Sequence, residues 1–192
     1  MKNSIIIMVS LLFLAAIFSC TEDFLDHKPL GSTSENVFYN EKGINALVIG
    51  TYGVLSGVSP GADYGASIQN WVYGSVMSDD AYKGSNPGDA AATVGAFDKF
   101  NHTADIGLLD NWWNALYEGI KRANVVIDYV PEVSMNTELQ NRLIGEARFL
   151  RALFYFDLVR AWGGVQLVET TTPSFNLPKS SPEAVYDFIE AD

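Results

Sequence analysis

Residues 145–167 read GEARFLRALFYFDLVRAWGGVQL, and this stretch decides the fold. Apolar residues recur at intervals of three and four from Leu139 to Ala161, which places them in one stripe along a helix. Gly163-Gly164 predicts the end of that helix, because glycine readily adopts the backbone conformation that closes a last turn. A capping box over residues 137–140 (TELQ) predicts its start. The pattern therefore predicts one amphipathic helix of roughly 25 residues.

A second long helix is predicted immediately upstream. Its apolar stripe consists of Trp113, Leu116, Ile120, Ala123, Ile127 and Val130. Asp110 is the predicted N-cap, and Pro131 ends the run. The short connection to the next helix favours an antiparallel helical hairpin. Further helices are predicted over residues 44–55 and 181–192, and residues 71–77 are either a helix, which is favoured, or an extended segment. The predicted fold class is therefore all-α with long irregular loops.

Residues 1–19 are typical of a bacterial lipoprotein signal peptide. Lys2 precedes an apolar run over residues 5–18, which is shorter than the roughly 20 residues that span a bilayer. The run ends at Ser19-Cys20, and a small residue directly before such a cysteine resembles a lipobox, in which Cys20 receives lipid. The alternative is an ordinary secretory signal with an incidental cysteine. On the first interpretation residues 20–33 are a lipidated tether and residues 34–192 form the helical domain.

Composition argues against several classes of function. The 192-residue chain carries 12 Lys+Arg against 23 Asp+Glu, a formal net charge of −11, and lacks the basic clusters that nucleic-acid partners require. A single cysteine rules out an internal disulfide and a cysteine-based zinc site. No nucleophile elbow, phosphate-binding glycine loop or metal-binding histidine pair is present. We therefore predict a protein without catalytic residues, cofactor or metal.

The candidate ligand site is the irregular segment 79–106, and within it residues 79–89. Long loops in compact domains are usually functional or disordered. The tyrosine here could stack on a sugar ring, the lysine could meet an acidic sugar, and the remaining groups could bond to hydroxyls. A solvated turn is the alternative, and a Ca²⁺ site is disfavoured because regular aspartate spacing is missing. The candidate ligand-binding residues are Asp79, Asp80, Tyr82, Lys83, Asn86 and Asp89.

Taken together, residues 145–167, the preceding helix and the N-terminal segment resemble the SusD/RagB family. The motif runs glutamate-x-basic-phenylalanine-leucine-arginine-alanine, then an aromatic pair, then Trp162-Gly163-Gly164. The resemblance implies tetratricopeptide-like helix pairs in a lipoprotein anchored in the outer membrane and facing the cell exterior. It also implies glycan binding and a SusC-like TonB-dependent transporter as partner. A peptide-binding relative of the same architecture and a scaffold that binds only proteins remain alternatives.

Structural roles are predicted for five residues of the helical hairpin. We expect Glu146, Arg148 and Arg151 to fasten adjacent helices through ion pairs and hydrogen bonds, because arginine does not titrate usefully as a catalytic acid or base. Trp113 and Trp162 are expected in the core.

The last helix carries an apolar face without a later segment to cover it. Val185 and Ile189 lie on that face, and the sequence stops within the helix. We therefore expect the chain to be the N-terminal portion of a longer protein and to be unstable by itself.

Overall fold

The computed structural model describes residues 39–56, 70–78 and 80–192, and over these ranges the chain is helical and contains no β-strand. The elements are α1 (Glu41–Leu55), a π-helical segment (Asn70–Val76), α2 (Val94–Asp98), α3 (Gly107–Tyr129), a 3₁₀ turn (Val130–Glu132), α4 (Thr137–Trp162) and α5 (Pro182–Ala191). The predicted all-α class is confirmed. The predicted signal peptide, Cys20, the tether and Asp79 lie outside the described residues.

Helices α3 and α4 form the predicted hairpin, and their facing stripes make the centre of the core. Leu116, Ile120, Leu150 and Phe154 are completely buried there. The two helices approach closely at Gly119, where a Cβ atom would lie 2.5 Å from the ring of Phe154. Glycine at this position lets the aromatic ring fill the space that a side chain would take.

Two helix starts differ from the sequence predictions. The N-cap of α4 is Asn136, whose side chain accepts a hydrogen bond from the Glu138 amide, so the capping box beginning at Thr137 is wrong. The side-chain amide of Gln140 instead donates to the carbonyls of Val130 and Val133, and these bonds join α4 to the 3₁₀ turn at the end of α3. Helix α3 begins at Gly107, and the predicted N-cap Asp110 lies inside its first turn, where a negative charge favours the helix dipole.

Each glycine of the pair after α4, Gly163 and Gly164, is required for a different physical reason. Gly163 has φ +70°, the left-handed conformation in which glycine carries no steric penalty. Gly164 packs directly against the backbone carbonyl of Ser180, which leaves no room for a Cβ atom. The amide of Ser180 donates to the carbonyl of Val165 over 2.9 Å. Residues 165–180 are thereby folded back, and they return the chain to α4.

The apolar face of α5 is covered because the chain folds back onto the hairpin, contrary to the expectation from the sequence. Val185 is completely buried, and Ile189 packs against the central cluster of α3 and α4. Ser181 caps α5 by accepting a hydrogen bond from the Ala184 amide. The face that was expected to lack a partner therefore packs backward onto α4.

Two further clusters extend the core along the hairpin. Around the connector, α1 packs against the end of α3 and the start of α4 through Ile44, Val48, Val126 and Leu143. At the opposite end, the π-helical segment and α2 pack against the start of α3 through Val72, Phe97 and Leu108. Within the described ranges, none of the helices is both long and apolar enough to cross a membrane.

Candidate functional site

The loop predicted to bind ligand is held rigid by its own lysine. The Lys83 ammonium donates to the carbonyl of Asp89 at 2.6 Å, the carbonyl of Asn86 at 3.1 Å and the hydroxyl of Ser85 at 3.2 Å. An ammonium has three donors, so these bonds satisfy all of them. Lys83 therefore braces the loop backbone, and its contact with an acidic sugar stays a prediction.

The same loop presents an exposed aromatic ring. The side chain of Tyr82 is 71% exposed. Asp89 accepts a hydrogen bond from the Asn86 amide, which adds a second brace across the turn. The Ala81 amide donates to the carbonyl of Ser75, so the loop begins firmly attached to the π-helical segment. Tyr82 is thus solvent-exposed on a hydrogen-bonded loop, which also carries the exposed residues Asp80, Asn86 and Asp89.

A cavity of about 630 Å³ lies on the scaffold to which this loop is attached. Four segments that are distant in sequence form its walls: the π-helical segment, α2 with the loop after it, the first turns of α3 and the last turn of α4. Its main lining residues are Tyr73, Met77, Phe97, His102, Leu109, Trp112, Arg160 and Trp162. The volume is in the range of small-molecule binding sites.

The walls of this cavity are largely aromatic. Tyr73 stacks on Trp112 with ring centroids 4.2 Å apart, and Phe97 stacks on His102 at 4.3 Å. Trp162 contacts Trp112 in a tilted arrangement at 5.0 Å. Rings that pack against one another hold a fixed geometry, so the cavity is largely preformed.

Three polar atoms of the cavity residues are buried without a hydrogen-bond partner in the described part of the chain. They are the hydroxyl of Tyr73, Nδ1 of His102 and Nε1 of Trp112. Buried polar groups are nearly always paired, because leaving one unpaired costs about 1–3 kcal/mol. Three such atoms around one cavity indicate a site that a polar ligand or water completes.

Trp113, which the apolar stripe predicts in the core, lies at the rim of the core, and the adjacent Trp112 is buried instead. Trp112 is 7% exposed and lies in the core, whereas Trp113 is only partly buried and packs on Trp162 and Tyr117. At the start of α3 the buried face is shifted by one residue from the predicted apolar stripe. The reason is that the π-helical segment and α2 cover a face that the hairpin alone leaves open. Trp113 still contributes packing, at the rim of the core.

The predicted network of charged residues centres on Arg151 alone. Its buried guanidinium donates to both carboxylate oxygens of Asp192, to the amide oxygen of Asn124 at 2.7 Å and to the carbonyl of Glu169 at 3.0 Å. These contacts join α3, α4, residues 165–170 and the end of α5. Arg151 therefore has the structural role that the sequence predicted.

Glu146 and Arg148 are less central than expected. Glu146 pairs with Arg142 on the same helix and accepts a hydrogen bond from Tyr52 of α1. Partial burial, and then this carboxylate, raise the pKa of the Tyr52 hydroxyl. Arg148 is exposed, and no hydrogen bond or ion pair involves it within the described ranges. The physical reason is its position on the helix, where its side chain points to solvent.

Three tyrosines near these sites have hydroxyl pKa values raised above the ordinary value for tyrosine. Burial raises the pKa of Tyr117 to about 12, and burial also raises the pKa of Tyr73 and of Tyr155 far above the usual range. Tyr117 donates to the carbonyl of Gln166 at 2.9 Å, and the Tyr155 hydroxyl accepts from the Val168 amide at 2.7 Å. The hydroxyls of Tyr117 and Tyr155 are therefore neutral hydrogen-bonding groups, and they hold the segment that follows Gly163-Gly164.

The described lining residues of the cavity include none of the candidate ligand-binding residues predicted from the sequence. Among the described residues, no group of three or more metal-ligating side chains comes together. The aromatic content of residues 71–77 and 97–102 was the only signal for the cavity, and each short stretch by itself is indistinguishable from core packing.

The fold places the chain in the class of all-α helical-hairpin proteins of tetratricopeptide-like architecture, here with an aromatic-walled cavity. Residues 23–192 match a SusD-like family model described as "Starch-binding associating with outer membrane", and the chain belongs to this family. The resemblance expected from the helix motif is confirmed.

Relatives and solved structures agree with this assignment. "SusD-like protein P25" of Formosa agariphila is 27% identical over 84% of the chain, and a "SusD-like protein" of Bacteroides ovatus is 27% identical over 100% of the chain. A structure named "Laminarin binding SusD-like protein" shares 32% identity over 79% of the chain with a TM-score of 0.63. "Surface glycan-binding protein A" of Bacteroides fluxus shares 25% identity over 79% of the chain with a TM-score of 0.65.

The chain spans about a third of the length of these proteins. It covers 30% of the Formosa relative, 34% of the Bacteroides ovatus relative, and 32% and 31% of the two structures.

Proposed function

We propose that this protein is a lipid-anchored surface protein that binds nutrient glycans and delivers them to a SusC-like TonB-dependent transporter in the outer membrane. Two findings support the glycan ligand: the family is described as starch-binding, and a similar structure is named for laminarin binding. The proposal includes binding without chemical conversion of the ligand.

The observation that carries the proposal is the exposed ring of Tyr82 on a braced loop. Sugar rings present C–H faces that lie flat on aromatic surfaces, and the neighbouring Asn86 and Asp89 supply groups for hydroxyls. Phe100, 64% exposed, is a second solvent-facing aromatic in the segment 79–106. Exposed rings on this segment favour glycans over the peptide-binding and scaffold alternatives.

Binding at this loop is tested by Tyr82→Ala in the intact protein. Loss of a stacking ring and its buried area should weaken binding about ten-fold, equivalent to about 1.4 kcal/mol. Calorimetric titration with a panel of neutral and acidic oligosaccharides measures the affinity, and a melting curve checks the fold. Tyr186→Ala is the control, because Tyr186 is also partly exposed but lies on α5. Equal affinities for wild type and Tyr82→Ala would remove this loop from the site.

Membrane attachment is tested separately at Cys20. A lipidated cysteine anchors through its acyl chains, each buried CH₂ contributing about 0.8 kcal/mol. Cys20→Ala should abolish fatty-acid labelling and release the protein from the membrane fraction. Persistent labelling in that variant would refute the assignment of Cys20.

A further inference from the structure

The cavity between the π-helical segment, α3 and α4 is rich in hydrogen-bond donors. Among the lining residues that the structure describes, the polar side chains are those of Tyr73, His102, Trp112, Trp162 and Arg160, and none of these residues carries a carboxylate or a side-chain amide. The Trp112 indole and the arginine can only donate. Trp112 is more than nine-tenths buried, and its Nε1 has no partner in the described part of the chain. A ligand group that completes this site must therefore supply acceptors.

The charge of the lining residues also favours a ligand that supplies acceptors. In a chain of net charge −11, the described lining residues of this cavity include one arginine and no acidic side chain. Arg160 is held in place by Asp157, to which one N–H donates, and its guanidinium lies 4.5 Å from the ring centroid of Phe156. A guanidinium has five N–H donors, so others remain for a second acceptor. Arginine presents these donors in a planar fork that suits carboxylate and sulfate oxygens.

The other cation near the loop does not compete for this role. All three donors of Lys83 are satisfied by loop oxygens, as described above. Among the described residues that line the cavity, Arg160 is the one whose side chain is a permanent cation.

From these contacts we infer that the cavity binds the anionic group of an acidic sugar unit, either the carboxylate of a uronic acid or a sulfate ester. The sugar ring packs against the aromatic walls, and its acidic oxygens accept hydrogen bonds from Arg160, the Tyr73 hydroxyl and the Trp112 indole. This inference rests on the proposed glycan binding and names the class of glycan. Tyr82 contacts the glycan outside the cavity.

The test compares matched ligands that differ only in charge. The intact protein is titrated with an oligogalacturonide and its methyl ester, and with a sulfated galactan oligosaccharide and its desulfated form. We expect one charged form to bind at least ten-fold more tightly than its neutral partner, with an advantage that shrinks as salt is raised. The pair that shows this preference identifies the group as carboxylate or sulfate.

Two conservative variants locate the preference in the cavity. Arg160→Gln removes the charge, and Tyr73→Phe removes a single hydroxyl while keeping the stacked ring. Each should reduce the charged-to-neutral affinity ratio about ten-fold. Arg142→Gln is the matched control, because Arg142 is an exposed, ion-paired arginine on the same helix that does not line the cavity. Its ratio should equal that of wild type.

The outcomes separate this inference from the proposed function. Equal affinity for charged and neutral forms, or an unchanged ratio in both Arg160→Gln and Tyr73→Phe, would overturn the inference while glycan binding stands. Binding of neutral oligosaccharides alone would also overturn it. Failure to bind any saccharide in the whole panel would instead overturn the proposed function.

Discussion

The contact between Gly119 and Phe154 gives the sharpest test of the hairpin packing. In Gly119→Ala the new Cβ would lie 2.5, 2.7 and 2.8 Å from three atoms of the Phe154 ring. Favourable carbon contacts lie at about 3.5–4.0 Å, so the ring must move by roughly 1 Å. Phe154 is completely buried among other core residues, so a movement of its ring must displace them. Overpacking of this kind costs about 1–3 kcal/mol.

A matched substitution isolates this steric cost from helix propensity. Alanine is favoured over glycine in a helix interior by about 1 kcal/mol, and this gain applies at both Gly119 and Gly145. Gly145 is exposed on α4, and a Cβ there would meet nothing within 4 Å. Gly145→Ala should therefore stabilise the protein, and Gly119→Ala should be less stable than Gly145→Ala by about 1–3 kcal/mol.

The assay is denaturant unfolding of the intact protein, comparing midpoints of the two variants under one set of conditions. A second background sharpens the result: in Phe154→Leu the ring is gone, so adding Gly119→Ala should no longer destabilise. The resulting coupling energy measures the contact directly. If Gly119→Ala is as stable as Gly145→Ala, the close approach of α3 and α4 at Gly119 is wrong.

Two further perturbations test the buried polar groups. Arg151→Met leaves the buried carboxylate of Asp192 and the amide oxygen of Asn124 without their donor, and should cost about 3–5 kcal/mol in denaturant unfolding, whereas the exposed ion-pair variant Arg142→Met should cost at most about 1 kcal/mol. For Tyr117, the folded-state pKa is raised to about 12, above the ordinary value of about 10 in the unfolded chain, so its contribution is complete below pH 10 and is lost as pH rises towards 12. Stability measured between pH 9 and 12 should fall less steeply in Tyr117→Phe than in wild type, and identical slopes would contradict this assignment.

Helix periodicity was sufficient to predict the hairpin because its information is local. The stripes of α3 and α4, the stop at Gly163 and the start at Pro182 all depend on residues within a few turns of one another. The caps were less predictable, because Asn136, Thr137 and the side chain of Gln140 offer competing hydrogen bonds, and the connector geometry decides among them.

The site could be predicted only in part, and the reason is tertiary. Residues 80–89 carry turn chemistry that the sequence displays, so the irregular loop was predictable, and the ligand role of Tyr82 stays a prediction. The commitment of Lys83 to backbone carbonyls was not visible, because it depends on how the loop closes. The cavity joins Tyr73, His102 and Arg160, which are separated by tens of residues, and no local pattern connects them.

The internal bracing of residues 83–89 has a consequence for how fast a ligand is captured. A loop already fixed by four hydrogen bonds has little conformational search left when a ligand arrives. Association is then not slowed by ordering of the loop, and under the proposed function the dissociation rate sets most of the affinity for an oligosaccharide. A receptor surface fixed in this way would release the proposed glycan without a rearrangement of the loop.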